Sequence, residues 1–318
     1  MRCVRDGGAA TGLASVYRVI LLTGALGFIG SRTVRALVDL GQPCLALTRR
    51  DVHSPFEDLA DRVTVAQADP ADAASLRQAG DGRRITGIVH LATPSFGADG
   101  VRSTVDGLLN LLDAAREWDV PRVAVASTLS VYEGVPEVPH REHARLPLPV
   151  QPVPAVMLAK ELVGMLAAEG RQVVNLRIAT IWGPGNRWRD AVVNTLTYAA
   201  VRGEPMPPIH ADDGADLCYV ADCARAIALL MGAETLHHST YNVGTGRPTR
   251  PAQVRDALTR IVPDADLPLV PGRDPTGPGH DTWLDITRLR EDTGYQPTYD
   301  LDTGLREYVD HLRAGNPL

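Results

Sequence analysis

Of the 32 basic residues in this chain only Lys160 is a lysine. A coding bias toward arginine explains the rest and leaves the exception, a position where a compact ammonium does what a planar guanidinium would not. Upstream, Thr23-Gly24-Ala25-Leu26-Gly27-Phe28-Ile29-Gly30 spells G-x-x-G-x-x-G between an apolar β-rich run and a helical pattern. Glycines in that setting let backbone approach a pyrophosphate, and the N-terminus of the following helix stabilises its charge. Gly24, Leu26, Gly27, Phe28 and Ile29 are therefore the expected cradle of a dinucleotide. The tip of the second strand reads Thr48-Arg49-Arg50. An acid there would hydrogen-bond an unphosphorylated ribose, whereas arginine pairs with a 2'-phosphate. Arg49 and Arg50 favour NADP(H); the general arginine richness and Asp51 stand against them. Asp69, followed by Pro70 after the third strand, is placed either to receive an adenine amino group or to cap its own loop.

These residues have to be carried by a frame. The first half alternates β-rich runs with helical patterns, which predicts a Rossmann-type α/β fold, a doubly wound parallel sheet. Strands are expected at 18–23, 43–48, 63–67, 86–91, 121–126 and 172–177, and helices at 28–40, 71–79, 101–118 and 155–168. Six prolines between 134 and 154 predict a stiff loop able to wall a site. Beyond about residue 178 the pattern loosens, with helices near 190–202, 222–231, 251–261 and 302–314. The expected division is a dinucleotide-binding domain over 17–178 and a smaller, mainly substrate-binding lobe over 179–318, some of whose segments return to the first sheet.

Composition removes several function classes. With 44% hydrophobic and 22% charged residues the chain has an ordinary globular balance. A net charge of -6 supplies no electrostatic drive toward nucleic acid or an anionic membrane, so neither is an expected partner. Cys3, Cys44, Cys218 and Cys223 lack C-x-x-C spacing, which argues against a disulfide framework and a zinc site and for a cytoplasmic home. No metal is expected elsewhere: His140-Arg141-Glu142-His143 departs from the H-E-x-x-H order, and His237-His238 reads as surface loop. Residues 1–16 read as a loose arm.

Several motifs then fall in one order: the Gly-rich loop, His90-Leu91-Ala92 at the fourth strand, Ser127-Thr128-Leu129-Ser130-Val131-Tyr132 after the fifth, Arg177 to Gly185, and Leu284-Asp285-Ile286 to Pro297. In these the chain resembles the extended short-chain dehydrogenase/reductase family, the NAD-dependent epimerases, dehydratases and 4-ketoreductases of nucleotide sugars. The resemblance runs from residue 18 to about 313. It implies that Leu91 and Ala92 join the cofactor site. It also implies a reaction centre of a Ser or Thr, a Tyr and a Lys, the last two spaced Y-x-x-x-K on one helix face. Thr128 matches the hydroxyl and Lys160 the lysine, which in the family holds the nicotinamide ribose and lowers the phenol pKa. The tyrosine position is Val156. Family members often pair through the helices corresponding to 101–118 and 155–168, so a homodimer is the implied assembly.

Valine has no proton to give. Losing a positioned acid costs roughly 100- to 10,000-fold in rate, and delivery of hydride by proximity survives it. A ketone whose own phenol or enol serves the oxyanion needs no tyrosine. A second departure points the same way: where family members carry a phosphate-binding arginine, this chain has Ala215 within Gly214-Ala215-Asp216, and Pro275 to Gly279 lacks a second arginine although Arg273 is close. Met157, Trp182, Trp188 and Tyr219 would line a pocket suited to a flat polycyclic ligand, with core packing the alternative for Trp182 and Met157. The expectation is an NADPH-dependent ketoreductase acting on a polycyclic aromatic ketone, an angucyclinone-like polyketide of antibiotic metabolism. Thr128 would polarise the carbonyl, Lys160 would hold the ribose, and substrate or water would supply the proton. Tyr132 and Tyr219 are the candidate substitute acids. The alternatives are a nucleotide-sugar epimerase, dehydratase or 4-ketoreductase with displaced residues, and a non-catalytic NADP(H)-binding regulator.

Overall fold

The structure, a computed structural model, describes residues 18–92, 98–148, 151–188 and 191–315. The N-terminal arm with Cys3 lies outside the described residues. Seven parallel strands form one sheet in the order β3-β2-β1-β4-β5-β6-β9. They are β1 (Arg18–Thr23), β2 (Cys44–Thr48), β3 (Val63–Gln67), β4 (Arg84–His90), β5 (Arg122–Thr128), β6 (Gln172–Ile178) and β9 (Thr240–Val243). Their runs, such as Val-Ile-Leu-Leu in β1 and Val-Ala-Val-Ala in β5, are apolar without alternation because helices cover both faces. Alternation persists in where the side chains go: Leu22 and Val89 join one core cluster, Leu21 and Ile88 the other.

The helices α1 (Phe28–Asp39), α2 (Ala73–Gly80), α3 (Ala98–Glu117) and α4 (Pro152–Leu166) connect the strands. The α4 helix begins inside the expected proline loop. Pro152 and Pro154 sit in its first turn, where a missing N–H costs nothing. The chain winds outward from β1 to β3, then crosses back to β4 on the other side of β1. That reversal opens a crevice beyond the C-terminal ends of β1 and β4, the place where such sheets bind ligands.

The second half is shared between layers. Helix α6 (Val220–Gly232) packs against α1, and β9 extends the main sheet beside β6. The rest forms a smaller lobe with a two-stranded sheet, β7 (Thr180–Trp182) and β8 (Leu217–Tyr219), and helices α5 (Val192–Arg202), α7 (Pro251–Ile261), α8 (Thr287–Thr293) and α9 (Leu301–Arg313). The three strands β7 to β9 were not predicted from the sequence, since runs of three or four residues carry too little periodicity. Asp216 stitches this lobe together. It is buried and accepts from Thr245, Gly246 and Leu284 backbone N–H groups and from the Thr245 hydroxyl.

Candidate active site

The loop after β1 is shaped by close approach. Gly24 has φ +71°, and a Cβ there would stand 2.9 Å from the Ala92 nitrogen; a Cβ on Gly30 would stand 2.0 Å from the Gly24 oxygen. Glycine alone permits both the conformation and the contact. Gly27 N–H donates to Gly24 O at 3.0 Å and then caps α1 without a side-chain hydrogen bond. The first-turn N–H groups of this 12-residue helix thus have no side-chain cap and no acid beside them, the arrangement that attracts an anion.

A cleft of about 840 Å³ lies over this loop. Its lining brings together Gly24, Leu26, Gly27, Phe28, Arg49, Arg50, Asp69, Pro70, Leu91 and Ala92, which the sequence proposed for the cofactor. Ile29 is a correction: it packs against the core and is not among the residues that line the cleft. Ser31, Ser103, Thr104, Asn186 and Arg187 also line the cleft and were missed, because polar residues on helix faces and loops carry no spacing signal. Arg49 and Arg50 are exposed at the tip of β2, and among the described residues neither guanidinium is held in an ion pair. One Asp69 oxygen accepts from Ala71 N–H at 3.0 Å, which is the loop-capping role. Volume, glycine clearances and uncapped helix together fit a dinucleotide.

Lys160 and Val156 sit one turn apart on α4 and are both buried. Among the described residues the Lys160 amine makes one hydrogen bond, to Ala92 O at 3.3 Å, and burial pushes its pKa down to about 7. The Thr128 hydroxyl caps the short helical turn after β5: it accepts from Ser130 N–H at 3.3 Å and lies 3.3 Å from Ser130 Oγ. One residue from each of these, Ser127 donates to Glu161, which is also gripped by both ends of the Arg177 guanidinium. This buried pair fastens the end of β5 to α4 and so holds Thr128 and Lys160 in register. Glu161 escaped notice in the sequence, since its partner lies on another strand.

The candidate substitute acids are both occupied. Tyr132 is buried, receives Arg177 at 3.0 Å and donates to Asn242 at 2.8 Å, and burial pushes it up to about 12. Tyr219 donates to Glu307, and burial raises its pKa well above the ordinary phenol. The expected pocket lining is also corrected. Met157, Trp182 and Tyr219 belong to the core, the indole of Trp182 meeting Tyr219 edge-on at 4.9 Å. Trp188 alone of the four is open, 69% exposed at the rim of the cleft. Aromatic residues satisfy a core as well as a pocket, and sequence does not separate the two.

A second cavity of about 340 Å³ lies in the lobe between β7, α5 and α7. Ala215 lines it, together with His210, Asp213 and Asp274. The nearby arginines are turned elsewhere: Arg273 and Arg250 both pair with Asp281, at 2.7 and 3.1 Å. Two carboxylates and no arginine make a poor seat for a diphosphate.

Known proteins share this frame. The UDP-glucuronate 4-epimerase 1 of Arabidopsis thaliana is 26% identical, over 91% of this chain and 75% of its own. A UDP-glucose epimerase of Bacillus subtilis, YtcB, described as uncharacterized, is 26% identical over 93% and 98%. Among solved structures, the UDP-glucose 4-epimerase of Thermotoga maritima with UDP-glucose superposes with a TM-score of 0.78 at 26% identity, covering 93% of this chain and 99% of that one. MoeE5 in complex with UDP-glucuronic acid and NAD gives 0.77 at 27% identity, with the same coverage. The profile described as the NAD dependent epimerase/dehydratase family matches residues 20–244, from the first strand through the returning β9. Since that match takes in the whole glycine cradle and the α4 lysine and spans well over half of the chain, this protein belongs to the NAD-dependent epimerase/dehydratase family.

Proposed function

We propose that the protein is an NADP(H)-dependent ketoreductase whose substrate, a polycyclic aromatic ketone of the angucyclinone type, supplies its own proton. The observation that carries this reading is Val156, a buried apolar side chain one turn from Lys160 where the family's proton-transfer tyrosine would stand. An epimerase has to take a proton from an unactivated alcohol and return it; a ketone with a neighbouring phenol does not ask that of the protein. In lacking this tyrosine the chain resembles the atypical angucyclinone ketoreductase of simocyclinone biosynthesis. The acidic second cavity supports a substrate without a diphosphate.

In this reading the α1 N-terminus and the glycine backbone hold the pyrophosphate, and Arg49 and Arg50 hold the 2'-phosphate. Lys160 holds the ribose, and the exposed Trp188 covers the substrate ring. The nicotinamide supplies hydride when bound. The Thr128 and Ser130 hydroxyls, after β5, are the donors this reading assigns to the carbonyl oxygen. Exposed Leu162, Met165 and Leu166 on α4 support pairing of two copies through α3 and α4.

A second reading, a nucleotide-sugar epimerase, dehydratase or 4-ketoreductase, is favoured by the relatives themselves, which are UDP-sugar enzymes by name, two of the solved structures being complexes with a UDP sugar. It requires a proton-transfer group other than Tyr132 or Tyr219. Calorimetric titration with NADPH, NADH and UDP-glucose, followed by NADPH oxidation with hydroxylated polycyclic quinones, separates the two. The ketoreductase reading expects NADPH binding, no UDP-glucose heat and quinone-dependent oxidation. It further expects Val156→Tyr to change the rate less than about tenfold, and loss of the hydroxyl beside the carbonyl to lower it at least about tenfold. UDP-glucose binding, or a gain of about 100-fold on restoring tyrosine, would sink it.

A further inference from the structure

The cleft over the glycine loop is lined with positive charge in a chain whose net charge is -6. Three arginines line it, Arg49, Arg50 and Arg187, against one carboxylate, Asp69, which is engaged with the Ala71 N–H of its own loop. Arg49 and Arg50 stand together at the tip of β2, whereas Arg187 comes from the segment between β7 and α5. Two glycines shape that segment where it meets α1. Gly183 has φ +132° and Gly185 φ +91°, and a Cβ on Gly185 would stand 3.8 Å from the ring of Phe28, the first residue of α1. Both flanks of Arg187 are fixed. Asn186 is 5% exposed; its amide donates to Ile181 O at 2.9 Å, and its side-chain oxygen accepts from Trp188 N–H at 3.0 Å. The Trp188 carbonyl accepts from the buried Asn194 at 2.7 Å. Between these anchors the Arg187 side chain is exposed, and among the described residues it makes no ion pair or hydrogen bond. A held backbone under a free guanidinium gives the fold nothing and presents a preorganised donor to an anion.

We propose that Arg187 is a cofactor-binding residue that grips the pyrophosphate of the dinucleotide from the side the α1 N-terminus leaves open. The inference rests on the reading of this cleft as a dinucleotide site, and it is independent of which ketone, or which sugar, is the substrate. The anions of NADP(H) match the three arginines in number and place. The 2'-phosphate falls to Arg49 and Arg50 at the strand tip; the pyrophosphate falls at the start of α1, where the Arg187 segment meets Phe28. Helix N–H groups reach phosphate oxygens from the protein side only. The oxygens turned away from the helix need a donor from elsewhere, and a guanidinium offers a planar fork that meets two of them at once.

Arg187→Ala tests this with little risk to the fold, since an exposed, unpaired side chain changes stability little. In calorimetry the full-length variant should lose about tenfold in affinity for NADPH and the same factor for NADH, because both carry the pyrophosphate. Adenosine 2'-monophosphate, which has the 2'-phosphate and no pyrophosphate, should bind as it does to wild type. The double alanine variant of Arg49 and Arg50 should show the inverse, a loss for NADPH and adenosine 2'-monophosphate with NADH spared. Arg187→Lys keeps the charge and loses the fork, and should come back to within about threefold of wild type for NADPH. An NADPH affinity within about twofold of wild type in Arg187→Ala overturns the proposal and leaves the arginine to the substrate. A loss confined to NADPH and adenosine 2'-monophosphate overturns it too, since that places Arg187 on the 2'-phosphate. Wild-type protein that binds neither dinucleotide overturns the reading of the cleft itself, and the proposal with it.

Discussion

The cleft over the glycine loop and the cavity in the second lobe would recognise ligands by different means. On the cofactor side, backbone carries the site: glycines with no room for a Cβ, an uncapped helix start, and strand ends converging at the reversal of the sheet. On the substrate side, individual side chains would do it. Val156 stands where the resemblance to the family puts an acid, and Ala215, Asp213 and Asp274 line the second cavity. The difference shows how one frame changes its chemistry. A backbone site tolerates almost no substitution because the fold itself is the binding surface. A side-chain site can lose its acid and its anion clamp while every element stays in place.

That contrast can be broken most severely at Gly30. A methyl group there would stand 2.0 Å from the Gly24 oxygen. Gly30→Ala is expected to weaken NADPH binding more than about 100-fold, about 3 kcal/mol, in calorimetry, with the helical circular dichroism retained. An affinity within about tenfold of wild type would mean that the cradle is not built by backbone clearance.

The cofactor side also has parts that depend on side chains, among them the exposed Arg49 and Arg50. Replacing both with alanine should cost NADPH about 10- to 100-fold in affinity, from charge-assisted hydrogen bonds lost to the 2'-phosphate, and leave NADH nearly unchanged. Equal losses for the two cofactors would assign the arginines to something other than that phosphate.

Lys160 sharpens the comparison because, in the proposed reading, it serves a ligand at the expense of the fold. Its folded pKa is depressed from 10.5 to about 7. Below the folded value both states hold the proton, and the whole burial penalty falls on the native state. Between the two values the unfolded chain binds more protons, so stability rises with pH. Above the unfolded value the penalty has gone. Lys160→Met should therefore be more stable than wild type by about 1–4 kcal/mol at about pH 6. The advantage should shrink as pH climbs from about 7 toward 10.5, as followed by thermal unfolding across that range. An advantage independent of pH would show that packing, and not a buried charge, is responsible.

Much of the frame could be read in advance. Strands β1 to β6 and helices α1 to α4 lie within a few residues of their predicted ranges, because long apolar runs and helical repeats report burial directly. The residues that line the cleft were legible for the same local reason: a G-x-x-G-x-x-G turn and the Arg-Arg strand tip each lie within a few consecutive residues. Apart from the short strands β7 to β9, the misses concern which way a side chain faces once the chain is packed. Met157, Trp182 and Tyr219 look alike as pocket or as core until α9 and β8 are packed beside them. Ile29 and Phe28 both pack against the core, and of the two only Phe28 also lines the cleft.

By itself, then, the sequence determined the Rossmann frame, the glycine cradle, the uniqueness of Lys160 and the absence of a tyrosine at 156, because each is a matter of residue type at short range. Only the tertiary structure decided that Tyr132 and Tyr219 are held in buried hydrogen bonds and that Arg250 and Arg273 are drawn to Asp281. The same holds for His90, one of whose ring nitrogens meets Thr23 while the other has no partner among the described residues. Those outcomes depend on which partner a side chain meets across 8 to 110 residues, and no local pattern encodes a partner.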